Sequence, residues 1–451
     1  EIGKEYIVDK TVSDGQNWFL FRVPVKNFTS TKGTINGFKS IRFMRMYLTD
    51  FERPVVLRFA QMQMVGQQYR KYTYDLARTG VQESPETYDA RFTVGTVSIE
   101  ENSQINGDAN KYSYDLPPGW DRDIDNTQRP PLRLNEQSMS LTVTGLRHGD
   151  SRAAYKNVNL DLMFRKRLRM YIHMHSDNPS DDNEVGAFLR IGTDLTQNYY
   201  EIDISKLTAT RSSSRDRREI WPEANELDVL LADLINVKSA RNKELGRNYN
   251  EPYSVVASNG RIHTVVGNPD LSSIRVMMIG MRNPKTSQVR SKSFTIWVNE
   301  MHVDGFDETG GFATLAQVNA KLADFATVTA SGRVETFGFG SVQQRIGERS
   351  RNFTSDFGIS SNILLDKLLP QQWGFSIPVF VSYDNHHVKP KFDPLNPDTE
   401  LSTTLNNLRN PEERDGYRRM VEESAIRRGI NFSNVRKTKT NPNAKNHFYD
   451  Y

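Results

Sequence analysis

Every second residue from Trp373 to Tyr383 is apolar: Trp373, Phe375, Ile377, Val379, Val381 and Tyr383. Between them stand Gly374, Ser376, Pro378, Phe380 and Ser382, mostly small or polar. A period of two puts the first set on one face of a strand. A strand tilted through a bilayer needs about 9–11 residues, an outward apolar face and amphipathic rings at the headgroup levels. The segment supplies all three and reads as a lipid-facing transmembrane β-strand. A half-buried strand of a soluble sandwich alternates in the same way, so its neighbours decide.

Phe357, Ile359, Ile363 and Leu365 share one parity with Ser355 and Ser361, against Thr354, Asp356, Gly358, Ser360 and Asn362. Ala316, Val318, Ala320, Leu322, Ala326, Val328 and Ala330 alternate with Gln317, Asn319, Lys321, Thr327 and Thr329. Three such segments in succession predict a barrel wall. Asp324 falls on the apolar parity and Phe325 on the other, which predicts a bulge or a membrane exit there, because charge at mid-bilayer is costly.

At 451 residues the chain has room for two or three domains. It contains no run of about 18 apolar residues, which excludes a helical span. A mean hydropathy of -0.64 leaves a barrel open, since only half the residues of a barrel strand are apolar. The absence of cysteine removes disulfides and thiol chemistry and suits an oxidising envelope compartment. The 59 basic and 55 acidic residues are spread without a basic stripe, so nucleic acid is not an expected partner. Glu1 to Ile7 show neither the basic nor the apolar region of an export signal, and the alternating segments are too few to close an eight-stranded barrel. The expectation is a piece of something larger.

The fold class expected is mainly β, with soluble, jelly-roll-like β-sandwich domains followed by strands of a large transmembrane β-barrel. Residues 1–80 are assigned to a sandwich truncated at its start, 81–305 to a second sandwich with a short helix, and 306–451 to barrel strands with a helical insertion at 411–428. Ser40 to Met44 before Val55 to Phe59 is echoed by Ser273 to Met277 before Phe294 to Val298, and each copy is read as a closing hairpin. Leu227, Leu230, Leu231 and Leu234 fall on one helical face. A second helix starts at Pro411, with Asn410 and Glu413 as reciprocal caps, and stops at Gly429. Residues 102–135 and 208–218, rich in polar and turn-forming types, are read as loop excursions.

Little chemistry stands out. His173, His175 and Asp177 alternate on one predicted strand with spacing that permits zinc or copper. A solvated strand face is the better reading, and no metal is assigned. Asp121, Asp123 and Asp125 mimic the start of a calcium loop but lack its glycine and bidentate glutamate. No nucleophile elbow, phosphate loop or paired carboxylates appear, so no catalytic residue, cofactor or enzyme activity is assigned. Gly338, Phe339, Gly340 and Ser341, followed by Glu348, Arg349 and Ser350, form a candidate loop or gate, read first as a connection between strands.

Several strings together resemble the SprA/Sov family. They include Phe38 to Met46, Val55 to Ala60, Asn135 to Ser138, Arg190 to Asp194, Trp221 to Glu223, Met277 to Gly280, Trp297 to Glu300, Gly338 to Ser341, Pro394 to Asp398 and Asn431 to Lys437. Their order and number carry the resemblance, which spans nearly the whole chain. It implies part of a very large outer-membrane barrel of about 36 strands, the translocon of the type IX secretion system, passing folded cargo proteins to the cell surface and linked in some members to gliding motility. The polar strand parity would then face water and Trp373 to Tyr383 lipid. The partners implied are outer-membrane lipid, secreted cargo, a lateral outer-membrane barrel and a periplasmic plug, with the soluble domains on the periplasmic or extracellular side.

A different class, a secreted or surface β-sandwich binding module or adhesin, predicts solubility without detergent. A small porin with an appended domain predicts about 8 to 22 alternating strands in the full gene.

Overall fold

The computed structural model describes residues 6–13, 15–21, 28–31, 44–60, 69–76, 90–102, 112–127 and 131–439, apart from 212–213, 245 and 286–288, plus isolated positions at 23, 25, 62 and 445. The chain divides into two units, Glu1–Gln67 with Gln104–Ala109, and Gln68–Ser103 with Asn110–Tyr451.

In the first unit Ile7–Ser13 and Gln16–Phe21 form an antiparallel hairpin. Residues 44–60 carry no strand, and Val55, Val56, Leu57 and Phe59 are exposed. The strand expected at Val55 to Phe59 is therefore not formed, and residues 40–43 of the echo lie outside the described residues. The second copy is not a hairpin either. Ile274–Arg282 and Lys292–Phe306 belong to different sheets, because each finds its partners elsewhere.

The second unit holds three large antiparallel sheets. A seven-stranded sheet runs, in spatial order, Tyr253–Val256, Ile262–Val266, Tyr199–Ile204, Gly186–Gly192, Ile274–Arg282, Ser151–Leu160 and Arg70–Lys71. A five-stranded sheet runs Leu227–Leu230, Arg165–His175, Lys292–Phe306, Gln137–Leu146 and Arg91–Ser98. One cluster of buried apolar side chains draws on both: Leu141, Ile172 and Ile296 from the second, Leu189, Ile202 and Ile279 from the first. Burying side chains of this size is worth about 1.5–3 kcal/mol each. Gly186–Gly192 is buried along its whole length. Its other face sets Phe188 against Ala153 and Met278, with Tyr72 and Leu76 packed over them.

Two expectations for the connections are corrected. Leu227 and Leu230 lie on an edge strand paired with Arg167 to Met170, and only Leu231 and Leu234 enter the helix, Leu231–Lys243. The excursion read into 102–135 packs inward over 112–118, while most of its described residues beyond that are exposed. Tyr114 stands 5.7 Å, ring to ring, from Trp297 and 6.1 Å from Trp221, and its hydroxyl lies 2.7 Å from Ser138 Oγ.

The third sheet is a five-stranded meander in sequence order, Ala313–Leu322, Ala326–Glu335, Asn352–Leu364, Pro378–Pro390 and Glu423–Phe432. The first two strands are one hairpin, with Leu322 opposite Ala326 and Ala323 at a positive φ of 49° in the turn. The broken parity at Asp324 and Phe325 is that turn. The helix expected over 411–428 ends at Val421. Beyond it Glu423–Phe432 pairs with Pro378–Pro390 over ten residues, and Gly429 sits mid-strand opposite Ser382.

Candidate functional site

The register of the third sheet sorts its side chains by chemistry. Val318, Ala330, Ile359, Tyr383 and Arg428 are successive cross-strand partners and share one face. The adjoining rows of that face are Leu322, Ala326, Ile363, Val379 and Phe432, then Ala320, Val328, Ser361, Val381 and Ile430, and beyond Tyr383 the row Ala316, Gly332, Phe357, Asn385 and Ile426. The opposite face carries Asn319, Thr329, Ser360, Ser382 and Gly429, and Gln317, Ser331, Gly358, Asp384 and Arg427. Large side chains on the apolar face stay exposed, among them Val318, Phe357, Ile426, Ile430 and Phe432. A contiguous apolar surface of this kind marks contact with lipid or another protein.

Of the six residues assigned to one lipid-facing strand, three stand on it. Val379, Val381 and Tyr383 share the apolar face, but the strand begins at Pro378. Trp373 closes a short 3-10 turn, Gly374 takes a left-handed φ of 63°, and Phe375 begins a two-residue strand paired with Lys437. Ile377 follows, donating its N–H to Asp366 at 2.9 Å. The period of two holds across the turn by coincidence of spacing. Trp373 and Phe375 remain exposed, 6.4 Å apart ring to ring, past the end of the strands.

The Gly338 to Ser341 segment lies in the connection between Ala326–Glu335 and Asn352–Leu364. Gly338 has φ 76°, donates its N–H to Ser350 O and receives Thr309 so closely that a Cβ would stand 2.5 Å from its carbonyl oxygen. Phe339 O accepts from Ser350 N at 2.8 Å. The turn is stapled on both sides. Around it Arg351 reaches Asp161 at 3.3 Å and covers the Phe164 ring, and Lys391 lies 3.7 Å from Asp307. These contacts join that end of the meander to the two sheets before it.

The connection from Pro390 to Glu423 makes the second junction. Leu401 and Leu405 of the helix Leu401–Asn407 are buried. Asp398 takes hydrogen bonds from Lys238 and from the Tyr200 hydroxyl, both at 2.6 Å. Asp393 accepts from Leu395 N, Thr404 and Tyr417.

Residues 1–405 match a family described as motility related/secretion protein. The chain belongs to that family. The resemblance to SprA/Sov proteins is thereby confirmed at the level of the family, and with it a secretion- and motility-related cell-envelope protein. No curated protein matches the sequence.

The histidines depart from their expected setting. His173 is fully buried, stacked on Trp297 at 3.8 Å, with Nδ1 2.8 Å from Ile220 O and Nε2 2.8 Å from His175 Nδ1. His175 stacks on Tyr112 at 3.9 Å. Burial drives the pKa of His173 well down and that of His175 to about 3. They form a neutral stack, His173 buried and His175 half-buried, rather than a solvated strand face, and no metal-binding group of three or more appears among the described residues. Asp125 accepts from the N–H and hydroxyl of Thr127, as in an ordinary turn.

Proposed function

We propose that the meander is a stretch of wall from a large outer-membrane β-barrel, and that the protein is part of a type IX secretion translocon passing folded cargo proteins to the cell surface. The observation that carries this reading is the sorting of five registered strands into two faces. One, across the rows from Leu322 to Ala316, is apolar but for Ser361, Asn385 and Arg428. The other is dominated by Ser, Thr, Asn, Gln, Gly and charged residues such as Lys321, Asp356, Asp384 and Arg427, with Phe380 its large apolar exception. In such a barrel the apolar face meets lipid or the lateral outer-membrane barrel and the polar face lines an aqueous lumen. The lipid-facing residues of the strand are then Val381 and Tyr383, with Val379 on the same face but already buried by the protein, and Trp373, Phe375 and Ile377 at the interfacial rim. Outer edges of Ala313–Leu322 and Glu423–Phe432 that pair with no strand among the described residues suit continuation into further wall.

In this reading the seven- and five-stranded sheets form a sandwich with a shared core, and Gly338 to Ser341 act as a fixed junction rather than a moving gate. Strand connections differ by end: residues 323–325 and 365–377 at one, the longer 336–351 and 391–422 at the other. Longer loops of outer-membrane barrels are extracellular, which supports the extracellular rather than the periplasmic side for the sandwich in this reading. A periplasmic plug would meet the opposite end. No catalytic role is assigned.

The 451 residues contain no cysteine, so single cysteines placed here report topology once any cysteine elsewhere in the gene product is replaced. Val381→Cys and Ser382→Cys are to be introduced into the whole gene product and treated with a membrane-impermeant maleimide in intact outer membranes. Labelling of Ser382→Cys and protection of Val381→Cys are expected. Equal labelling of both, or a product that fractionates without detergent, sinks the wall and favours a surface binding module.

A further inference from the structure

A cleft of about 580 Å³ opens beside the Tyr114 and Trp297 cluster, away from the meander's faces. That volume lies in the range of ligand sites, roughly 300–1,000 Å³. Four arginines line it, Arg122, Arg133, Arg215 and Arg217, against two aspartates, Asp115 and Asp121.

The arginines fall into two pairs. Arg217 is held in place by Asp115 at 3.1 Å and by Trp120 O at 2.9 Å, while Arg122 donates to Leu134 O at 2.8 Å and Arg133 O at 3.2 Å. Their forks are therefore pre-set. The side chains of Arg133 and Arg215 are exposed and make no ion pair among the described residues. Both residues line the one cleft without an acidic partner among the described residues, and guanidinium forks match carboxylates in two-point contacts. The apolar lining is Ile99 and the exposed Ile124, set over a fixed base in which Leu116 is buried and Tyr114 is anchored by Ser138 and Asn299. A small inorganic anion would use the charge and leave this lining bare.

We propose that the cleft binds an extended acidic peptide segment of a partner protein, with Asp or Glu side chains on Arg133 and Arg215 and an intervening apolar side chain on the apolar lining. Binding is predominantly electrostatic at the mouth and weakens with salt. It requires no assumption about the membrane wall.

The probe is a fluorescein-labelled synthetic peptide of alternating Glu and Leu, titrated by anisotropy onto the full chain in detergent at low salt. A Lys-Leu peptide is the control. Saturable binding of the acidic peptide alone is expected, weakened about tenfold or more by Arg133→Gln with Arg215→Gln. Arg133→Lys with Arg215→Lys retains part of it, and Arg418→Gln, on a separate helix, leaves it unchanged. No binding, equal binding of the two peptides, or an unchanged affinity in the double glutamine variant overturns the proposal. Full displacement by sulfate at peptide-equivalent concentration reduces the cleft to an adventitious ion site and overturns it equally.

Discussion

Lys238 and Asp398, 160 residues apart in sequence, form an ion pair with no solvent exposure on either side chain, Nζ lying 2.6 Å from Oδ1. Pro269 O takes a second hydrogen from Lys238 at 2.8 Å, and Tyr200 satisfies the other carboxylate oxygen. Burial pulls the Lys238 pKa down and Asp398 pulls it back. The pair ties a connection of the meander to the helix Leu231–Lys243. Because desolvation offsets most of the attraction, its presence matters less for net stability than the penalty for losing one member.

Asp398→Asn is therefore expected to destabilise the protein by about 3–5 kcal/mol, since it leaves a buried ammonium unpaired. The double change Lys238→Met with Asp398→Leu should recover most of that loss. Denaturant unfolding followed by tryptophan fluorescence distinguishes the two, and a double variant as weak as the single one would show that geometry rather than charge holds the junction.

On the meander, Val381→Arg should impair assembly, with a cost of about 2–4 kcal/mol if the site lies near mid-bilayer. Its neighbour Ser382→Arg, on the polar face, should be tolerated. Heat-modifiable migration of the membrane fraction reads both, and reversal of the order would invert the assigned faces.

Gly338→Ala combines a positive φ with a Cβ 2.5 Å from Thr309 O. A loss of about 1–3 kcal/mol is expected, whereas Gly347→Ala, with open space around it, should change stability little. Comparable melting temperatures for the two would mean that the turn yields easily.

The His173 and His175 stack predicts acid sensitivity. Both histidines are held neutral in the folded protein, with pKa values below the ordinary 6.5. Below pH 6.5 the unfolded chain takes up protons that the folded one refuses. Stability is thus fully present above that pH and falls toward about pH 3, by up to roughly 1.4 kcal/mol per pH unit for each histidine. Unfolding free energies between pH 7 and 5 should fall less steeply for His175→Asn than for the parent protein; parallel slopes would refute the assignment.

The alternation along 316–330 and 355–363 was legible because each face of a two-sided sheet imposes its chemistry residue by residue. Ends of elements were not. A left-handed Gly374 interrupts an uninterrupted pattern, and Glu423–Phe432 carries Arg427 and Arg428, helix-tolerant residues that become strand through pairing with Pro378–Pro390. Trp221 stands in the sequence only as part of a family string, with nothing to reveal that it closes over Tyr114, some hundred residues earlier. The arginine cleft and the Lys238–Asp398 pair unite residues whose separation leaves no local signal. Family membership was readable from strings in order, each uninformative alone.

The two junctions near Gly338 and Asp398 have a mechanical meaning. A domain hung on one linker swings freely, but this one is braced at separate points, so torque on either part reaches the other. Swivelling about the Phe306 to Ala313 passage would require pulling a charged pair out of a dry interior. Such a step is slow and sharply force-dependent, and it would make the assembly behave as a strut with a latch rather than as a bead on a string.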